Sequence, residues 1–223
     1  MRLKDRKIIV TGGPTREWID PVRYISNPSS GKMGAALADR AAYLARETVF
    51  VHGPVNPAIV TGKAYRTVSV ESTSDLLAAV VGELEDNAVL IMSAAPADYT
   101  PVEKSGIKIK KTGDEITLRL KKTPDILKEV ARLREGGRFP GAYVVGFAAE
   151  TNDTENYARS KLVDKNLEMI CLNDVSAQGA GFGADTNIMT LFLRNGKRIE
   201  LSLMSKEEVA SRILDVIGSE LDS

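Results

Sequence analysis

The sequence predicts an α/β fold: a Rossmann-like, mainly parallel sheet with helices on both faces, plus two β-hairpins, one of them a basic flap. Three observations predict it. Short β-branched runs closed by Gly or Pro alternate with Ala- and Leu-rich stretches at helical spacing through the first hundred residues. Two strand-like runs near the end flank Asn195-Gly196, a strong short-range hairpin signal. The 223 residues, 43% hydrophobic and 27% charged, suffice for a core that needs neither disulfides nor metal.

In order, residues 7–11 form a first strand, closed by Gly12-Gly13-Pro14 and followed by a long polar loop. Residues 32–46 carry apolar positions at helical spacing. A second strand at 48–51 closes at Gly53-Pro54, a third spans 65–70, and Ser72 or Ser74 starts a helix over 74–85. The buried run 89–92 ends in Ser93-Ala94-Ala95. Residues 107–111 and 115–120 alternate polar and apolar around Thr112-Gly113-Asp114, which predicts a hairpin, the flap of about 104–122. Thr123-Pro124-Asp125 then reads as N-cap, N1 and first turn of a helix. A strand at 143–148, a helix at 153–165 and a strand at 169–172 follow. The last hairpin pairs 188–193 with 197–203, and the capping box Ser205-Lys206-Glu207-Glu208 opens a helix to about Gly218. No repeat or linker interrupts the pattern, so 1–223 reads as a single domain with a C-terminal hairpin and helix at 188–218.

Composition excludes several classes. Thirty Lys and Arg balance thirty Asp and Glu, so no general basic excess marks a nucleic-acid or membrane-surface binder. One Cys rules out an internal disulfide framework, and one His rules out a multi-His zinc site. No apolar run approaches the roughly 18 residues of a membrane span. The expectation is a soluble, cytoplasmic protein.

The loop after the first strand is where an open α/β sheet binds ligands. It lacks Gly-x-Gly-x-x-Gly, and the second strand ends in His52-Gly53 rather than an acidic ribose partner, which disfavours a nicotinamide-dependent oxidoreductase. A Walker A loop fails too: Ser26 stands where the first Gly is required, and Met33 follows Lys32. What remains is Ser29-Ser30-Gly31-Lys32 at a helix start, with Arg16 and Arg23 in the same loop. Backbone N–H groups and the helix dipole make such a place an anion site, although Ser29 or Ser30 could merely cap the helix. The flap holds seven cations, Lys108 among them, against Asp114 and Glu115. They suit either a solvated edge or a cover for an anionic ligand. Lys161 and Lys165 share one helix face. Asp98 is the one ionisable group after the small residues Ala94 and Ala95.

These residues together resemble the phosphopantothenoylcysteine synthetase family, the phosphopantothenate–cysteine ligases of coenzyme A biosynthesis. The motifs are Gly13-Pro14-Thr15-Arg16-Glu17, residues 20–27 (Asp20-Pro to Ser-Asn27), residues 29–34, Ala94 to Tyr99, Lys108 to Lys111, Thr123-Pro124-Asp125-Ile126, Gly146 to Thr151 and Asn173 to Ser176. The resemblance implies joining of 4′-phosphopantothenate to L-cysteine, with CTP as co-substrate in bacterial members and Mg²⁺ on the triphosphate. It implies that Asn27 holds the substrate carboxyl and that Ala94, Ala95 and Asp98 line the junction with the nucleotide. Arg23 would reach the neighbouring pocket of a homodimer, and Lys108 would neutralise the triphosphate. Pro124, Asp125, Ile126 and Leu127 would cradle the nucleotide with Phe147 beside the base, and Lys161 and Lys165 would meet its phosphate or ribose. The metal's ligands stay open, with Asp125 a candidate. No flavin is expected, and the partners include a decarboxylase as a domain or separate protein. A non-catalytic nucleotide-binding module is the remaining alternative.

Overall fold

The computed structural model describes residues 2–110, 113–150, 154–174 and 183–222. The strands are β1 (Lys7–Gly12), β2 (Glu17–Asp20), β3 (Arg23–Ile25), β4 (Glu47–His52), β5 (Arg66–Ser69), β6 (Val89–Met92), β7 (Tyr99–Pro101), β8 (Leu120–Lys122), β9 (Tyr143–Glu150), β10 (Met169–Asp174), β11 (Thr186–Leu193) and β12 (Arg198–Ser205). The helices are α1 (Lys32–Ala41), α2 (Thr73–Glu83), α3 (Ile126–Glu135), α4 (Thr154–Asp164) and α5 (Lys206–Asp222).

Eight strands form one sheet in the order β12-β11-β10-β9-β6-β1-β4-β5. Six are parallel, and β11 and β12 join antiparallel at one edge. Successive residues of β1 serve opposite faces: Ile8 and Val10 join the core under α1 and α5, while Ile9 joins the core with Leu76 of α2 and Val130 of α3. Burial on both faces explains the continuous apolar runs of β1, β4 and β6. Cys171 of β10 is fully buried in the first core, and burial pushes its thiol pKa up. From β1 the chain proceeds outward to β4 and β5, and from β6 the other way to β9 and β10. The order therefore reverses between β1 and β6, and a crevice opens at their carboxyl ends.

The structure bears out the fold class and moves several boundaries. The polar loop after β1 contains the small antiparallel pair β2–β3, steadied by an edge-on Trp18–Tyr24 contact at 5.0 Å with Arg16 4.6 Å over the Tyr24 ring. Helix α1 stops at Ala41, five residues short of the expected end, and turns lead on from it; Tyr43 is 84% exposed while Leu44 and Ala45 still pack against the core. The flap shows no strand within its described residues between β7 and β8; pairing is confined to its base, from Tyr99↔Lys122 to Pro101↔Leu120. Ile107 and Ile116 are exposed, so the alternating face has no layer to bury against, and a lone ribbon is marginal in water. Asp125, not Thr123, caps α3: its carboxylate accepts the Lys128 N–H at 3.2 Å, while the Thr123 hydroxyl donates to the Ala97 carbonyl at 2.7 Å. The Ser205/Glu208 capping box opens α5 as expected. The helix passes Gly218 to Asp222 because its apolar stripe continues to Leu221. Lys111 and Thr112 of the flap, Thr151, the expected helix start at Asp153, and Val175 and Ser176 lie outside the described residues.

Candidate active site at the sheet switch point

At the crevice, Gly31 takes φ +77° and ends the loop so that α1 begins without a side-chain cap. A Cβ there would stand 2.6 Å from Val55, and one at Gly34 would stand 2.8 Å from the Thr11 carbonyl oxygen, so two glycines allow α1 to start directly on the end of β1. Its first residues line a cleft of about 250 Å³. Ser29, Ser30 and Lys32 line one side, and Ala94 and Ala95 after β6 another. The far wall comes from β9, β10 and β11, with Phe147, Asn173 and Asn187, and the side chain of Lys206 at the start of α5 closes it.

Lys206 is 5% exposed, and its ammonium donates to the Ala184 and Thr186 carbonyls. Burial and the nearby Lys32 both lower its pKa. Lys32 itself pairs with Asp185 at 2.6 Å, which holds that carboxyl below its ordinary range. Two cations thus converge near an uncapped helix N-terminus, an arrangement suited to an anion. Asn187 is 3% exposed, and its Oδ1 has no hydrogen-bond partner.

A second cleft, of about 500 Å³, lies across the 94–98 loop. Asp98, Tyr99, Lys122, Asp125 and Lys165 give it a polar, mixed-charge lining, with Pro124, Ile126, Leu127 and Tyr157 completing it. Lys165 pairs with Asp125 at 3.1 Å. Ala94 and Phe147 line both clefts, so the two share a wall. The dividing loop is fixed from beneath. The Ala95 N–H donates to the Gly13 carbonyl at 2.9 Å and the Ala97 N–H to Thr15 Oγ1 at 2.9 Å, and Thr15 shares a buried hydrogen bond with Thr73. Asn27 stands over it, its amide donating to the Pro96 carbonyl at 3.0 Å.

Arg23 lies on β3 and lines neither cleft. Its Nε donates to Asp20 Oδ2 at 2.9 Å and its Nη2 to the Ile109 carbonyl at 2.9 Å. The fully buried Asp20 also accepts the Val22 N–H at 2.9 Å and the Ile109 N–H at 3.1 Å. The Arg23 guanidinium, first of several causes, holds this carboxyl far below the usual range.

Of the sequence-derived candidates, the first cleft gathers Asn27, Ser29, Ser30, Gly31, Lys32, Ala94, Ala95 and Phe147. The second gathers Asp98, Pro124, Asp125, Ile126, Leu127 and Lys165. Arg23, Lys108 and Lys161 line neither; the Lys161 ammonium sits 4.2 Å over the ring of Tyr157, which does line the second. Sequence reasoning missed Lys206, Asn187 and Tyr157. The first two arrive by the fold-back of β11 and α5, and no local motif marks them. Among the described residues no three His, Cys, Asp or Glu side chains converge on one point, and no helix is long and apolar enough to cross a membrane.

Residues 3–221 match the family described as the DNA/pantothenate metabolism flavoprotein C-terminal domain. The chain is 45% identical over 217 residues to the coenzyme A biosynthesis bifunctional protein CoaBC of Bacillus subtilis, covering 97% of this chain and 52% of that protein. It is 44% identical over 223 residues to CoaBC of Escherichia coli K12, covering 99% and 53%. The chain therefore spans about half the length of the curated relatives it matches. Among solved structures, the crystal structure of the C-terminal domain of CoaBC superposes with TM-score 0.79 at 38% identity, covering 99% of this chain and 97% of that one. The DNA/pantothenate metabolism flavoprotein from Streptococcus pneumoniae follows at TM-score 0.74 and 26% identity, covering 96% and 99%.

Proposed function

Because the chain belongs to the DNA/pantothenate metabolism flavoprotein C-terminal domain family, we propose that it is the ligase of coenzyme A biosynthesis that joins 4′-phosphopantothenate to L-cysteine. CTP is the proposed co-substrate. The observation that carries this reading is the pair of clefts meeting at Ala94 and Phe147, with Asn27 on the first cleft's side of that wall and bonded to the Pro96 carbonyl. A reaction between a phosphorylated acid and a nucleoside triphosphate needs two anion-tolerant compartments with one point of contact.

In this reading the first cleft takes the phosphomonoester of phosphopantothenate, against the α1 N-terminus, Lys32 and Lys206. The nucleotide takes the second, with Lys165 and the residues around Asp125 beneath it and Phe147 beside the base. Asn27 holds the acid's carboxylate from the first cleft, its amide keeping the Pro96 carbonyl and giving up the longer contact to Ala95 for the substrate, because an amide donates a hydrogen bond without adding charge. The carboxylate oxygen attacks the α-phosphorus and pyrophosphate leaves. The cysteine amine then attacks the acyl carbon, CMP leaves with the bonding pair, and the amine loses a proton. Neither step uses a protein nucleophile. The protein's contribution is placement and charge, the terms that dominate phosphoryl-centred reactions. Lys108 supplies positive charge from the flap, and Arg23 serves the neighbouring pocket of a homodimer.

Asp98 and Asp125 of the second cleft would hold a magnesium ion carried on the triphosphate, Asp125 by releasing the oxygen now paired with Lys165, since Mg²⁺ is commonly held by one or two carboxylates together with substrate phosphates. Bound there, it would offset phosphate charge during the first step. The test is to incubate the chain with phosphopantothenate, CTP and Mg²⁺ and then add cysteine. A cysteine-dependent amide with matching CMP and pyrophosphate is expected; none appearing defeats the reading. Parallel assays with ATP decide the nucleotide.

A further inference from the structure

The flap carries several lysines, and among its described residues Lys108 lies in a stretch tied on both sides to the β2–β3 hairpin. The Ser105 N–H donates to the Ile19 carbonyl at 3.0 Å. Four residues on, the Ile109 N–H donates to the Asp20 carboxylate at 3.1 Å and the Ile109 carbonyl accepts from Arg23 at 2.9 Å. Both ties end on the β2–β3 hairpin. Within the span, Ser105 Oγ donates to the Ile107 carbonyl at 2.6 Å, which tightens it further. Lys108 lies between the two ties, exposed, immediately before the residue held through both its N–H and its carbonyl. Lys104 and Lys110 lie outside them.

From this geometry we infer that Asp20 is a positioning residue: it clasps the flap through Ile109 and thereby fixes where Lys108 presents its charge. Asp20 is the hub because it accepts three different donors from two segments, the Val22 N–H, the Arg23 guanidinium and the Ile109 N–H. The same carboxylate orients Arg23, whose Nη2 then completes the hold on Ile109. The two cations assigned to the reaction from outside the clefts, Arg23 and Lys108, are thus carried as one unit. The catalytic part of the inference rests on the ligase reading above; the clasp itself does not.

Two readouts test it. Tryptic cleavage after Lys108 and Lys110, followed without substrate, should quicken by roughly tenfold or more in Asp20→Asn, because a released flap is a better protease substrate. In steady-state assays run in an Arg23→Lys background, which takes Arg23's hold on Asp20 out of the comparison, Asp20→Asn should raise KM for CTP by about tenfold, and that effect should vanish when Lys108→Gln is added, since an effect exerted through Lys108 adds nothing once Lys108 is gone. Unchanged cleavage in a folded Asp20→Asn variant overturns the clasp. A full tenfold effect persisting in Lys108→Gln overturns its action through Lys108. Should Asp20→Asn not fold, Ile109→Pro removes one donor from the exposed segment, leaves the hairpin intact, and is judged by cleavage after Lys110 alone, since trypsin does not cut a Lys–Pro bond, and by the same kinetic outcome. A wild-type chain that makes no amide product defeats the ligase reading alone, and the cleavage assay still decides the clasp.

Discussion

Asn27 is held from behind by the carbonyls of Pro96 and Ala95, at 3.0 and 3.4 Å, which both need its amide as donor. Asn27→Asp replaces that donor with a carboxylate facing two carbonyl oxygens and, in the proposed complex, the substrate carboxylate. A loss of about 10²-fold in kcat/KM, the cost typical of removing a positioned donor, is expected; turnover near wild type would refute the assignment. Lys108 differs because it is exposed. Lys108→Gln should leave the thermal midpoint in place and cut the rate of nucleotide activation by roughly 10²-fold; activity within a few-fold of wild type would dismiss the flap's role. Asn27 was legible only through the family motif at 20–27, and Lys108 through the motif at 108–111 and as one of the flap's cations. Lys206 and Asn187 were not, since their meeting with Lys32 depends on where a distant hairpin and helix return to the sheet.

Among the elements, α1 depends on contact with β1. Gly34→Ala would set a Cβ 2.8 Å from the Thr11 carbonyl oxygen and 2.9 Å from the Gly12 Cα, both backbone atoms that cannot swing away. A destabilisation of about 1–3 kcal/mol is expected from such overpacking, read by denaturant unfolding; an unchanged midpoint would mean α1 shifts freely. Helix α2 is tied at its end by Glu83, which accepts from Lys7 at 2.8 Å and from Arg66 Nη1 at 2.9 Å. Arg66 foremost, then Lys7, depress the Glu83 pKa from 4.5 to about 2, so the tie is complete above the ordinary value and is lost as pH falls toward the lower one. Glu83→Gln should cost of order 1–2 kcal/mol at pH 7 after allowance for solvent screening, and its gap to wild type should close between pH 4.5 and about 2; a gap independent of pH would exclude this linkage. The central strands β1, β4 and β6 were readable because burial on both faces leaves apolar runs, and β11 and β12 because Asn195-Gly196 marks their turn. The β2–β3 pair was not, because its short strands mix Glu, Asp and Arg with aromatics and it is steadied by ring contacts and the Asp20 hub rather than by a sheet face.

For the whole molecule, the sheet order was implied by strand–helix alternation, but the position of the crevice follows from the reversal between β1 and β6, which no local pattern encodes. The proposed dimer makes a prediction at this scale. If Arg23 serves the partner's pocket, mixing inactive Arg23→Gln and Asn27→Asp chains should restore roughly a quarter of wild-type activity, because half the dimers are mixed and each has one intact site. No recovery after subunit exchange would place Arg23 in its own pocket. The molecule's single thiol, Cys171, is sealed beneath α1 and α5. A protein proposed to handle free cysteine thus offers no sulfur of its own for exchange, so mixed disulfides with the substrate cannot build up on the folded chain. Consumption of cysteine can therefore be followed with a maleimide or a disulfide dye against a silent protein background.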